Sequence, residues 1–140
     1  MDNKEIVRRV ATEPWTGNFD VIDELVADDY TGYDPAMPER TRGPEGVKEF
    51  YNQFIAAYPD ASVTIEEQIA EGDWVATRWT GRGTQKGDLM GIPATGKQVT
   101  VSGITLSRIA GGKIAEEWTN WDTLGMMVQL GAVPAPATAQ

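Results

Sequence analysis

At 140 residues, 41% of them hydrophobic and 24% charged, the chain suits one globular domain with a core large enough to contain a pocket. Asp and Glu outnumber Lys and Arg by 21 to 12, and the resulting net charge of −9 repels nucleic-acid backbones and anionic membranes. The absence of cysteine and histidine excludes disulfides, thiol chemistry and a Cys/His zinc site, so acid–base work falls to Asp, Glu, Tyr or Lys.

The chain opens MDNKEIVRRV, charged from the start and unlike a secretory signal. No stretch approaches the ~20 apolar residues of a membrane helix, so a soluble, cytoplasmic protein is expected. Ile6, Val7 and Val10 recur at helical spacing behind a possible Asn3 cap, and Pro14 stops that helix. A second helix is predicted in NFDVIDELVADDY, where Asn18 could cap and Phe19, Ile22, Leu25 and Val26 form one apolar stripe. Asp28 and Asp29 at its end read as a solvated surface, and DYTGYDP as a short extended piece before a loop.

GPEGVKEFYNQFIAAYPD is the strongest helix, with Pro44 and Glu45 in the first turn and Val47, Phe50, Tyr51, Phe54 and Ile55 facing inward. The period then switches to two. SVTIEEQIAEGDWVATRWTGRGT reads as a hairpin turning at Glu71–Asp73, and KQVTVSGITLSRIAGGKIAEEWTNW as another turning at Ala110–Lys113. DTLGMMVQLG is a short final helix, capped by Asp122 or Thr123 and ended by Gly131. Residues 1–131 are therefore expected to form one domain and 132–140 a flexible tail. Helices followed by antiparallel strands predict an α+β fold with helices on one sheet face.

Residues 91–99, GIPATGKQV, imitate the G-x-x-x-x-G-K of a phosphate loop. Such a loop must lead into a helix whose N–H groups hold the anion, whereas Val99 and Val101 here continue as a strand. A long connector is the expectation instead, and its apolar Leu89, Met90 and Ile92 either fold over a pocket mouth or merely connect.

Among candidate chemical groups, the pairs Glu66–Glu67 and Glu116–Glu117 are strand neighbours, so each pair should split across the two sheet faces. Asp122 follows EEWTNW and shares a strand face with Glu116, Trp118 and Asn120. Beside indole rings it could serve as a proton shuttle, and at the start of the last helix it could equally serve as a cap. The five tryptophans could wall a site for a flat ligand. Arg78, if turned inward, would need Glu116 or Asp122 as partner; if turned outward, it is a surface charge.

The stretches RGPEGVKEFYNQFIAAYPD, GIPATGK, RIAGGKIAEE and WDTLG, within residues 20–131, together resemble the SnoaL-like polyketide cyclases, or ester cyclases. The resemblance implies a nuclear transport factor 2-like fold: a strongly curved antiparallel sheet wrapped against N-terminal helices into a cone-shaped α+β barrel with an apolar interior. It also implies a small oligomer, a homodimer or homotetramer, no cofactor, and intramolecular aldol closure of an aromatic polyketide ester. No metal is expected either, because the chain has no His or Cys and no carboxylate pair on a shared face. The family's acid/base, an Asp at the end of the last strand, would be Asp122. A small hydrophobic or polycyclic substrate would then lie among Trp15, Tyr33, Phe54, Trp79, Gln85, Met90 and Trp118, with Tyr33 or Gln85 bonding its oxygen. Tyr33, Gln85 and Glu117 stand where family members often carry His. A non-catalytic binding domain of the same fold, or epoxide opening by an Asp-activated water with Arg78 assisting, are the alternatives.

Overall fold

The computed structural model describes residues 1–135, so the last five positions of the tail expected at 132–140 lie outside the described residues. Helix α1 spans Asn3–Thr12 and buries Ile6, Val7 and Val10; its cap is Asp2, whose carboxylate accepts the Glu5 N–H, one residue earlier than expected. Pro14 lies in a 3-10 turn, Glu13–Thr16. Helix α2 is only Asp20–Leu25, because Val26 already belongs to strand β1, Val26–Tyr33. Its N-cap position is Phe19 with no side-chain cap, while Asn18 Oδ1 accepts the Asp20 N–H. A two-residue strand β2, Thr41–Arg42, precedes helix α3, Gly43–Ala57, which buries Val47, Tyr51, Phe54 and Ala57.

Four longer strands follow: β3 Ser62–Glu71, β4 Trp74–Thr84, β5 Gln98–Ala110 and β6 Lys113–Trp121, before helix α4, Thr123–Gln129. The β5–β6 turn uses Gly111 and Gly112, both at positive φ, the backbone region a tight hairpin of this hand requires. All the strands join one sheet in the order β2-β1-β6-β5-β4-β3.

The expected α+β fold, a curved sheet packed against N-terminal helices, is present, and two details refine it. The sheet curves but stays open, with β2 and β3 as its edges. And β1 runs parallel to β6, since no hairpin dictates the pairing of strands so far apart in sequence. One core cluster packs α1, α2 and α3 on the concave sheet face around Ile22, Val26, Tyr51, Val75 and Ile114. A second, around Phe54, Tyr58, Leu89, Val99, Met126 and Leu130, lies beneath α4 and the β4–β5 loop. Lys97 runs directly into β5, so GIPATGKQV has no helix N-terminus behind it. No helix among the described residues is long and apolar enough to cross a membrane.

Candidate functional site

Between the helices and the concave sheet lies a cavity with two lobes, of about 150 Å³ and about 100 Å³. Trp15, Asp34, Phe50, Val63, Trp79 and Thr119 line both lobes and so make them parts of one interior. The first lobe has a polar floor of Tyr30, Thr77, Thr105, Glu117 and Thr119. The second is walled mainly by apolar groups, among them Phe54, Tyr58, Val99, Val101, Trp121 and Met126.

The alternation of β6 decides which groups enter. Glu117, Thr119 and Trp121 face the cavity. Glu116 faces out and pairs with Arg108 at 2.7 Å. Glu117 Oε1 accepts the Tyr30 hydroxyl at 3.0 Å, and Oε2 accepts the Ser107 hydroxyl at 2.6 Å. Glu117 retains some accessible surface, yet it is packed deep in the fold, so that surface faces the cavity rather than bulk water. Burial pushes its carboxyl above the ordinary 4.5, against the opposing pull of the Ser107 and Tyr30 hydrogen bonds. The Tyr30 phenol is pushed up by burial and by Glu117, and Tyr51 likewise, so both stay protonated donors. Tyr51 gives its proton to the Val10 carbonyl at 2.6 Å. Asp34 stands where the lobes meet, its Oδ2 accepting the Trp121 indole N–H at 3.0 Å.

The sequence-predicted site residues divide. Trp15 and Trp79 wall both lobes, and Phe54 walls the second. Tyr33 lines the first lobe, and its ring stacks on Trp118 at 4.9 Å under the Arg40 guanidinium. Trp118 does not wall either lobe: it lies on the outward parity of β6, near Trp74 and a shallow outer cleft. Gln85 does not face the cavity either. It is 0% exposed and staples the β4–β5 loop, donating to the Ile92 carbonyl and accepting from the Thr95 N–H and hydroxyl. Met90, at φ 51°, packs with Ile92 against the second core cluster and is absent from the walls of both lobes. The loop thus covers the core rather than the cavity.

Asp122 lies one step beyond the cavity-facing Trp121 and is exposed; its carboxylate accepts the Gly125 N–H at 2.8 Å, as an N-cap of α4. The expectation that this carboxylate points among the aromatic walls is not met, because Asp122 lies past the end of β6 and turns back onto the first turn of α4. Arg78 is also outward and pairs with Glu67 at 2.7 Å, which removes the cation invoked for epoxide opening. A bulge between Ile65 and Glu67 breaks the alternation there, and Glu66 and Glu67 both bond β4 side chains, contrary to the expected split. Sequence reasoning missed Tyr30, Asp34, Thr77, Thr105 and Thr119 as wall residues, and touched Trp121 only as one of the five tryptophans and Glu117 only as a position where family members often carry His. The signal that could have found part of this set was the other parity of EEWTNW. No group of three or more His, Cys, Asp or Glu side chains suited to hold a metal occurs among the described residues.

Three comparisons bear on this geometry. The family profile for the SnoaL-like polyketide cyclases matches residues 5–130. Aklanonic acid methyl ester cyclase of Streptomyces peucetius is 31% identical over 131 residues, covering 91% of this chain and 89% of its own. Among solved structures, a protein assigned to the SnoaL-like polyketide cyclases from Jannaschia sp. CCS1 superposes with a TM-score of 0.84 at 28% identity, covering 94% of this chain and 93% of that one. A Catenulispora acidiphila protein of ketosteroid isomerase-like fold gives 0.77 at 27% identity, covering 96% and 98%.

Proposed function

The chain belongs to the SnoaL-like polyketide cyclase family, and from that premise we propose that it is a cofactor-free cyclase or isomerase for a carbonyl-bearing, polyketide-type small molecule held in the two-lobed cavity. Glu117 is the proton carrier in this reading. The observation that carries it is a carboxylate withdrawn from bulk water yet open to the ligand space, its carboxyl raised by burial toward the range useful for proton exchange.

The chemistry asks little more of the protein. A carbon flanked by two carbonyls is already acidic. Glu117 removes its proton, and the C–H electron pair passes to a carbonyl oxygen as an enolate. The carbon then attacks a second carbonyl of the same molecule, one C–C bond forms, and the new alkoxide takes the proton back from Glu117. Returning the proton to a different carbon instead gives an isomerisation. The remaining contribution is folding the chain so that its two carbonyl carbons meet, which supplies effective concentration. Trp15, Phe50, Phe54, Trp79 and Trp121 offer flat apolar walls for such a substrate. Asp34 holds the Trp121 indole in place. Asp122 serves as the cap of α4.

Aklanonic acid methyl ester, named in the activity of the Streptomyces peucetius relative, is the first substrate to try. Glu117→Gln is expected to lower turnover by about 10²–10⁴-fold, the usual worth of general acid–base catalysis, while ligand binding persists. Asp122→Asn is expected to leave turnover within a few-fold. The reverse pattern, with Asp122→Asn inactive and Glu117→Gln active, would return the role to Asp122.

A further inference from the structure

Trp79, Thr105 and Thr119 sit on the adjacent strands β4, β5 and β6 and all line the first lobe. The Trp79 indole N–H donates to Thr105 Oγ1 at 3.1 Å, and the Thr105 and Thr119 hydroxyl oxygens are 3.0 Å apart. Position 103 makes this line possible. A Cβ on Gly103 would come within 2.3 Å of Trp79 Cζ2, so only a residue without a side chain lets the indole lie against β5.

Counting hydrogens shows what the line presents. Each hydroxyl has one hydrogen and two acceptor positions. One of the two threonine hydrogens is used between Thr105 and Thr119, whichever donates, and Trp79 occupies only an acceptor position of Thr105. One hydroxyl hydrogen is therefore left, and neither threonine donates it to another side chain or carbonyl among the described residues. The indole polarises the Thr105 O–H and favours donation from Thr105 to Thr119, which frees the Thr119 hydrogen. Thr119 lines both lobes and shares a strand face with Glu117, about 7 Å along β6 at the usual rise.

We propose that Thr119 is the oxygen-binding donor of the site, its hydroxyl hydrogen-bonding a ketone oxygen of the ligand, with Trp79 and Thr105 as positioning residues behind it. This deepens the proton-transfer reading and rests on it for its catalytic meaning: the same hydroxyl stabilises the enolate oxygen formed when Glu117 takes the neighbouring proton. The site selects ring ketones whose acidic carbon lies next to the bonded carbonyl.

The donor is tested by binding, without turnover. 9-Fluorenone and fluorene are flat, similar in shape and differ by one acceptor oxygen; quenching of the cavity tryptophans reads both affinities. The ratio of fluorenone to fluorene affinity is expected to fall about 3–10-fold in Thr119→Val, the worth of one neutral hydrogen bond, and to stay near the wild-type value in Thr119→Ser. Fluorene affinity should be similar in all three proteins, which reports an intact cavity. Glu117→Gln should keep the wild-type ratio, so loss of the donor and loss of the proton carrier are read separately. An unchanged ratio in Thr119→Val overturns the proposal, as does failure of the wild-type protein to bind either molecule.

Discussion

At Glu117 burial and hydrogen bonding act in opposite directions, and burial prevails, leaving the carboxyl above its ordinary 4.5. The folded protein therefore holds this proton more tightly than the unfolded chain does. Below about pH 4.5 both states are protonated and the group costs nothing; as pH rises through the raised native value, the buried carboxylate must form and stability falls. Glutamine at 117 keeps an amide able to meet Tyr30 and Ser107 but never ionises. Melting temperatures taken from about pH 4 to about pH 7 should therefore shift in favour of Glu117→Gln relative to wild type as pH increases. A difference that stays flat across that range would mean that Glu117 is not desolvated as described. In the proton-carrier reading proposed above the same ionisation acts on catalysis in the opposite sense, since a base must be deprotonated: kcat/KM should decline as pH falls through the native value.

The junction of β6 and α4 shows how one element boundary separates two carboxylates by surroundings. Glu117 lies on the inward parity of β6, whereas Asp122 lies past its end, where backbone N–H groups of the new helix lack partners. Asp122→Ala should cost roughly 0.5–2 kcal/mol through loss of the cap, while Asp122→Asn should be nearly neutral because Asn caps as well as Asp. Thermal or urea unfolding of the two variants measures this directly; equal destabilisation by both would show that the charge, not the cap, is what matters there. The β4–β5 loop is a second such element. Its fold is maintained by the interior amide of Gln85 together with Gln85 N–H to Lys97 O and Gly96 N–H to Gln85 O. It spends its apolar residues on the core beneath α4.

Across the whole molecule, the helices cover the concave face of the sheet and leave the convex face open. There Ile69, Ala76, Leu106 and Trp118 form one row across four strands, with Ile104 in the next row. Ile69, Ile104 and Leu106 are 69%, 55% and 40% exposed, large apolar groups that water solvates poorly. A self-complementary contact through this face, giving a homodimer or a higher symmetric oligomer, is the expected outcome. Light scattering at micromolar concentration should return at least twice the 15.3 kDa chain mass, and Ile104→Glu with Leu106→Glu should shift it to the monomer. A wild-type monomer under those conditions rules the contact out.

Helices α1 and α3 and the hairpins β3–β4 and β5–β6 were legible in the sequence because their determinants are local. Apolar spacing of 3.6 or 2, a proline or glycine at each break, and an Asp before the last helix act within a few residues. The family motifs were legible for the same reason, as short contiguous strings. The site was legible only in part: the aromatic walls Trp15, Phe54 and Trp79 were expected, while the polar floor was not. Periodicity tells that Glu117, Thr119 and Trp121 share one face and that Glu116, Trp118 and Asn120 share the other, but not which face the helices will cover. That choice was made by long-range packing: the parallel pairing of β1 with β6, the seating of α1 and α3 on the concave side, and the pairing of Tyr30 with a carboxylate 87 residues away. Composition, element order and family were thus determined by the sequence itself, whereas the identity of the inward carboxylate was decided by tertiary structure, because desolvation depends on what packs above a residue and not on its neighbours in the chain.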